Sequence, residues 1–147
     1  MNKLPVVLTL VIFATACASS PAATDAPTVT IAQTSVVHPI RAQSATVVPV
    51  TYRLDVTNAF DNDVTLTALQ IETIGSSGSY TMKAVKHRFS EVIPAHGSKS
   101  IDIRAWVLPV QINEGGSLNT PVVVRGIAQF ASKGTTLRRG FTETLEQ

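Results

Sequence analysis

Few residues in this 147-residue chain have the type and spacing that chemistry requires. Its three histidines, His38, His87 and His96, fall in separate segments, and no two share the short spacing of ligands on one element. His38 precedes a proline and His96 sits among turn formers, so both read as exposed loop residues. Asp61-Asn62-Asp63, with Asp55 nearby, could offer hard oxygen ligands. It lacks the regular carboxylate layout of a calcium loop and reads as a polar turn. Acyl transfer needs a nucleophile beside a base, yet there is no Gly-x-Ser-x-Gly elbow, and the single cysteine, Cys17, lies far from any histidine in sequence. Phosphate-cradling and dinucleotide glycine turns are missing too. The chain reads as a non-enzyme with no catalytic residue, metal or cofactor.

What remains are groups suited to recognition. Trp106 is the one tryptophan; Lys83, Lys86 and Arg88 lie on or near one expected strand, and Lys133, Arg138 and Arg139 on the last hairpin. Brought together, such cations could meet anionic headgroups or an acidic partner; kept apart, they are solvated faces and guards on sheet edges. Trp106 is out of phase with the apolar row of its strand, which leaves it either exposed as an interface anchor or packed. Trp106, Lys83, Lys86 and Arg88 are thus the candidate partner contacts. Nucleic acid is not expected to be that partner, because 12 basic residues stand against 10 acidic ones and the formal net charge is only +2.

The elements that must position these groups have a period of two. Val48, Val50, Tyr52, Leu54 and Val56 alternate with polar residues and Pro49, so Pro49 belongs near a strand's start or at a sheet edge. Similar rows run through Val29 and Ile31, through Val64 to Ile74 with a phase slip at Ala68-Leu69 that predicts a bulge, and through Tyr80 to Phe89 with a second slip. Ile101, Ile103, Ala105 and Val107 form another, Val122, Val124, Gly126, Ala128 and Phe130 the next, and Leu137 to Leu145 the last. Turn formers separate them at 61–63, 75–79, 94–98, 114–117 and 132–134. About seven strands without a helical stripe predict an all-β domain, a single immunoglobulin-like antiparallel sandwich over residues 28–147, with a closed barrel as the alternative.

The N-terminal segment has a different character. Lys3 opens an apolar run from Leu4 to Ala16 that is shorter than the about 20 residues of a spanning helix, and small residues precede Cys17. Phe13-Ala14-Thr15-Ala16-Cys17 resembles the lipobox of bacterial lipoproteins, with Ala14 where leucine is usual. The resemblance implies a signal peptide over 1–17, cleavage between Ala16 and Cys17, and fatty acyl groups such as palmitate on Cys17. Two or three acyl chains bury enough CH₂ groups for lasting membrane attachment. Ordinary secretion with a free Cys17, or a retained anchor, are the competing readings. Ala18 stands where lipoproteins of the inner membrane often carry Asp, which implies the outer membrane, facing the periplasm. Residues 18–27, all small or turn-forming apart from one charge, read as a flexible tether.

The span from Val47 to Val107 has a strand ending at Asn58, a strand from Val64, a Gly/Ser turn, a strand from Tyr80, and Ile93-Pro94-Ala95-His96-Gly97-Ser98 leading into Ile101. It resembles the late embryogenesis abundant type 2 family and its water-stress (WHy) domain, although that family commonly has Asn-Pro where this chain has Asn58-Ala59. In the 94–98 turn, Pro94 fixes one φ and Gly97 permits φ > 0. The resemblance implies a non-catalytic domain, linked in some members to protection under dehydration or to envelope partners. The expectation is therefore an envelope lipoprotein acting as a binding or scaffold module on another envelope protein. Stress protection and a soluble periplasmic small-ligand carrier are the alternatives. Replacing Cys17 with Ser should abolish incorporation of a labelled fatty acid, and undiminished labelling would remove the lipid anchor from the account.

Overall fold

The computed structural model describes residues 26–35, 37, 46–75, 78–110 and 121–146. The signal segment with Ala16 and Cys17, most of the tether, His38 and the turn at 114–117 lie outside the described residues. Of the segment read as tether, Ala26 and Pro27 are described, and both are buried.

Eight strands form: β1 (Thr28–Gln33), β2 (Val48–Thr57), β3 (Val64–Thr73), β4 (Tyr80–Thr81), β5 (Val85–Ile93), β6 (Ser98–Pro109), β7 (Val122–Ser132) and β8 (Thr135–Leu145). They make two four-stranded antiparallel sheets, β1-β2-β6-β4 and β5-β3-β7-β8. This is the expected sandwich, with β1-β2-β6 and β3-β7-β8 in the two-sheet order of immunoglobulin-like domains. The alternating rows meet between the sheets. Val50, Tyr52, Leu54 and Val56 of β2 lie in one core with Leu66, Leu69 and Ile71 of β3, Ile103, Ala105 and Val107 of β6, and Val122, Val124, Ala128 and Phe130 of β7. Each valine, leucine, isoleucine or phenylalanine among them contributes about 1.5–3 kcal/mol when removed from water.

Both phase slips have structural causes. The register of β3 shifts between Leu66 and Ala68 against both neighbours, and Ala68 and Leu69 are consecutively buried, as a bulge requires. The slip in Tyr80 to Phe89 is larger than expected, which raises the strand number to eight. Tyr80–Thr81 pairs with β6 in one sheet, the chain then crosses, and Val85–Ile93 pairs with β3 in the other. Gly126, in the inward row of β7, leaves room for its cross-strand partner Phe141. A Cβ there would lie 2.3 Å from the Phe141 ring and 2.9 Å from the carbonyl oxygen of Gln70.

At one end of the sandwich, the β2–β3 and β5–β6 connections pass between the sheets side by side, and Asn58 joins them. Its side chain has no exposed surface. Nδ2 donates to the carbonyls of Asn62 (2.9 Å), Pro94 (3.0 Å) and Ile93 (3.3 Å), and Oδ1 accepts from the Phe60 amide at 3.0 Å. The backbone amide of Asn58 donates to the Gly97 carbonyl at 2.8 Å. In the facing turn the Gly97 amide donates to the Pro94 carbonyl, and the positive φ falls on His96 (52°), not on Gly97. Gly97 instead eases a close approach, since a Cβ would sit tightly, 3.1 Å from the Pro94 oxygen.

A second buried polar chain lies in the core. Tyr52 Oη donates to Tyr80 Oη at 2.8 Å, and Tyr80 Oη donates to Gln33 Oε1 at 2.6 Å. Burial pushes both phenols up, Tyr80 to about 12 and Tyr52 further, where the neighbouring Tyr80 adds to the effect. These are the only two tyrosines of the chain. In the unfolded chain both titrate near pH 10, so the folded state holds more protons above that pH. The stability they contribute is complete below pH 10 and declines as pH rises through about 12. Two outcomes are expected. Tyrosinate absorbance should be nearly absent in the native protein at pH 10 and half-developed at that pH in concentrated urea. In urea titrations, Asn58→Ala should lower unfolding stability by about 2–4 kcal/mol, because one buried and three part-buried backbone groups lose their partner together.

Candidate functional site

Trp106 points outward because Ala105 and Val107 on either side of it point into the core. Its cross-strand partner is Pro49, and the register carries on to place Val47 beside Leu108. All four are exposed, Trp106 by 59%, and together they form an apolar patch on the outer face of the β1-β2-β6-β4 sheet. Pro49 costs this sheet nothing. Thr34 donates to the Thr51 carbonyl at 2.9 Å, so odd-numbered residues of β2 direct their amides toward β1, and β1 ends at Gln33, before it reaches Pro49.

Below the patch the same face becomes charged, row by row. Arg104 lies opposite Thr51, is exposed, and has no carboxylate partner among the described residues. The next row is a cross-strand ion pair, Arg53 Nε to Asp102 Oδ1 at 3.2 Å, followed by a hydrogen bond from Ser100 to Asp55. Trp106 is thus an indole in an apolar patch, beside a guanidinium that has no carboxylate partner among the described residues.

The other expected contacts divide between the two sheets. Lys83 is exposed just beyond the end of β4, the strand that flanks β6 at Leu108. Lys86 and Arg88 are exposed on β5, in the opposite sheet, so they share no face with Trp106. Between them His87 turns its ring inward beside Phe89, with ring centroids 6.2 Å apart. Its buried Nε2 has no hydrogen-bond partner, and burial lowers its pKa. His96 is exposed and meets Asp61 at 2.9 Å, while Asp63 accepts the Ala95 amide at 2.9 Å. The acidic turn therefore serves the Asn58 corner. Among the described residues, no three His, Cys, Asp or Glu side chains group as a metal site would need.

A groove of about 560 Å³ on the outer face of the second sheet is lined by Gln70, Glu72, Arg125, Ile127, Gly140 and Thr142. Its one cation is already neutralised, because Arg125 Nη2 sits 2.6 Å from Glu72 Oε1. The Trp106 face is the stronger candidate, since it combines exposed apolar area with a charge that has no ion-pair partner among the described residues. Sequence alternation puts Pro49 and Trp106 out of phase with their apolar rows and leaves Trp106 either exposed or packed; only the β2–β6 register shows that the two meet beside Leu108. Compared with known proteins, the chain matches no family model and no curated protein.

Proposed function

We propose that this chain is an envelope lipoprotein whose sandwich is a non-catalytic binding or scaffold module, held to the periplasmic side of the membrane through Cys17. The observation that carries the binding role is the exposed Trp106, flanked by Pro49, Leu108 and Val47. Large apolar side chains in contact with one another on a sheet face cost solubility, and tryptophan is the residue most enriched where partners bind.

The direction of the strands supports the same reading. β1 starts at Thr28, beside Thr57 at the far end of β2, so the chain leading from Cys17 joins the end of the sandwich away from Trp106. Ten residues of β2 span about 30 Å. A lipid on Cys17 would hold one end of the domain near the bilayer and present the Trp106 end to a partner beyond it. Recognition there is non-covalent: the indole and its apolar neighbours fill a complementary surface, and Arg104 favours a partner with acidic groups at the rim.

Stress protection of the late embryogenesis abundant type 2 kind is the second reading. Its support is that the two segments carrying that resemblance, Asn58 and 93–98, meet in one hydrogen-bonded corner.

A photo-crosslinking residue at Trp106, Pro49 or Leu108 in intact cells should yield one discrete envelope-protein adduct, and the same residue at Arg88 should not. No adduct from any position on the Trp106 face would contradict the binding role.

A further inference from the structure

The last strand carries a pattern that is complementary to itself. The two-residue turn Lys133–Gly134, with φ of 46° and 77°, closes Ser132 against Thr135 as a hydrogen-bonded pair. Odd-numbered residues of β8 therefore direct their amides and carbonyls at β7. Thr136, Arg138, Gly140, Thr142 and Thr144 direct theirs outward along the edge. All five are exposed, and among the described residues no strand pairs with that edge. The odd-numbered side chains read Leu137, Arg139, Phe141, Glu143, Leu145, a palindrome in which the charges are opposite and equidistant from the centre. Arg139 and Glu143 are partly buried, and neither has an ion pair among the described residues.

We propose that β8 is a homodimerisation edge, which pairs antiparallel with β8 of a second copy about a twofold axis through Phe141. In that register Leu137 faces Leu145, Arg139 faces Glu143, and Phe141 faces its own copy, so the two charge pairs form symmetrically. These are the non-hydrogen-bonded positions, where opposed side chains lie closest. The hydrogen-bonded positions become Gly140 with Thr142 and Arg138 with Thr144, all residues whose backbone groups already point outward.

Other registers fail for stated reasons. A slip of one residue sets the core-facing row of one copy against the solvent row of the other. A slip of two in either direction sets Arg139 and Glu143 against apolar side chains. A slip of four sets Arg139 against Arg139 or Glu143 against Glu143. Charges at a sheet edge commonly prevent pairing, and here their spacing matches opposite charges in one register. The pairing extends the β5-β3-β7-β8 sheet across two copies and leaves the Trp106 face, on the other sheet, uncovered. It does not depend on the function proposed above.

Sedimentation equilibrium of the purified full chain in detergent should show a reversible dimer. Arg139→Glu and Glu143→Arg should each weaken it about tenfold, because two attractive pairs become two repulsive ones, and the double exchange should restore wild-type association. With Cys17→Ser removing the native thiol, Phe141→Cys should form a disulfide-linked dimer on oxidation, whereas Ser90→Cys on the opposite edge should not. A wild-type chain that stays monomeric would overturn the proposal. So would a double exchange no stronger than the single variants when all melt as folded proteins.

Discussion

Asn58 is a polar side chain with no exposed surface, and burying an unpaired amide costs a few kcal/mol. It is tolerated because every donor and acceptor it has is used, on carbonyls of the 58–63 and 94–97 connections and on the Phe60 amide. Those connections take the chain from one sheet to the other, and nothing in a hydrophobic core alone specifies where two such crossings sit relative to each other. Apolar contacts are non-directional. The Asn58 amide supplies the direction, and with it the alignment that sets the rows of β2 and β6 over those of β3 and β5.

Fixing that alignment from within has a consequence for the outer surfaces. The core is completed by side chains from alternate positions, so the other positions are available for binding. On one sheet they grade from the Trp106 patch through Arg104 to paired charges; on the other they include the ion pair of Glu72 and Arg125. The inner and outer faces are linked by the pleat, because Trp106 is exposed only while Ala105 and Val107 are buried. A shift of β6 by one residue would invert both faces at once.

Much of this was legible in the sequence, because a half-buried strand writes its two faces as alternate residues. The rows in β2, β6 and β7 and the bulge at Ala68-Leu69 all follow from that period. What was not legible depends on partners distant in the chain. The break in Tyr80 to Phe89 looks like a second slip until Tyr80 is seen to pair with Pro109 and Val85 with Ile71, in different sheets. Asn58 reads only as the end of a strand; its burial is visible only once Ile93 and Pro94 are brought beside it. Likewise Pro49 and Trp106 read as out of phase with their apolar rows, which leaves Trp106 either exposed or packed; their meeting with Leu108 as a patch belongs to the β2–β6 register, and alternation says nothing of register.

The buried Asn58 amide holds the two inter-sheet connections as part of the cooperative core and not as mobile loops. Native-state hydrogen exchange at the Phe60 amide, which Asn58 Oδ1 accepts at 3.0 Å, tests it most directly. Phe60, though outside any strand, should exchange only through global unfolding, with the same free energy as the Leu54 amide within β2. Exchange at the rate of an open loop, while Leu54 stays protected, would contradict it.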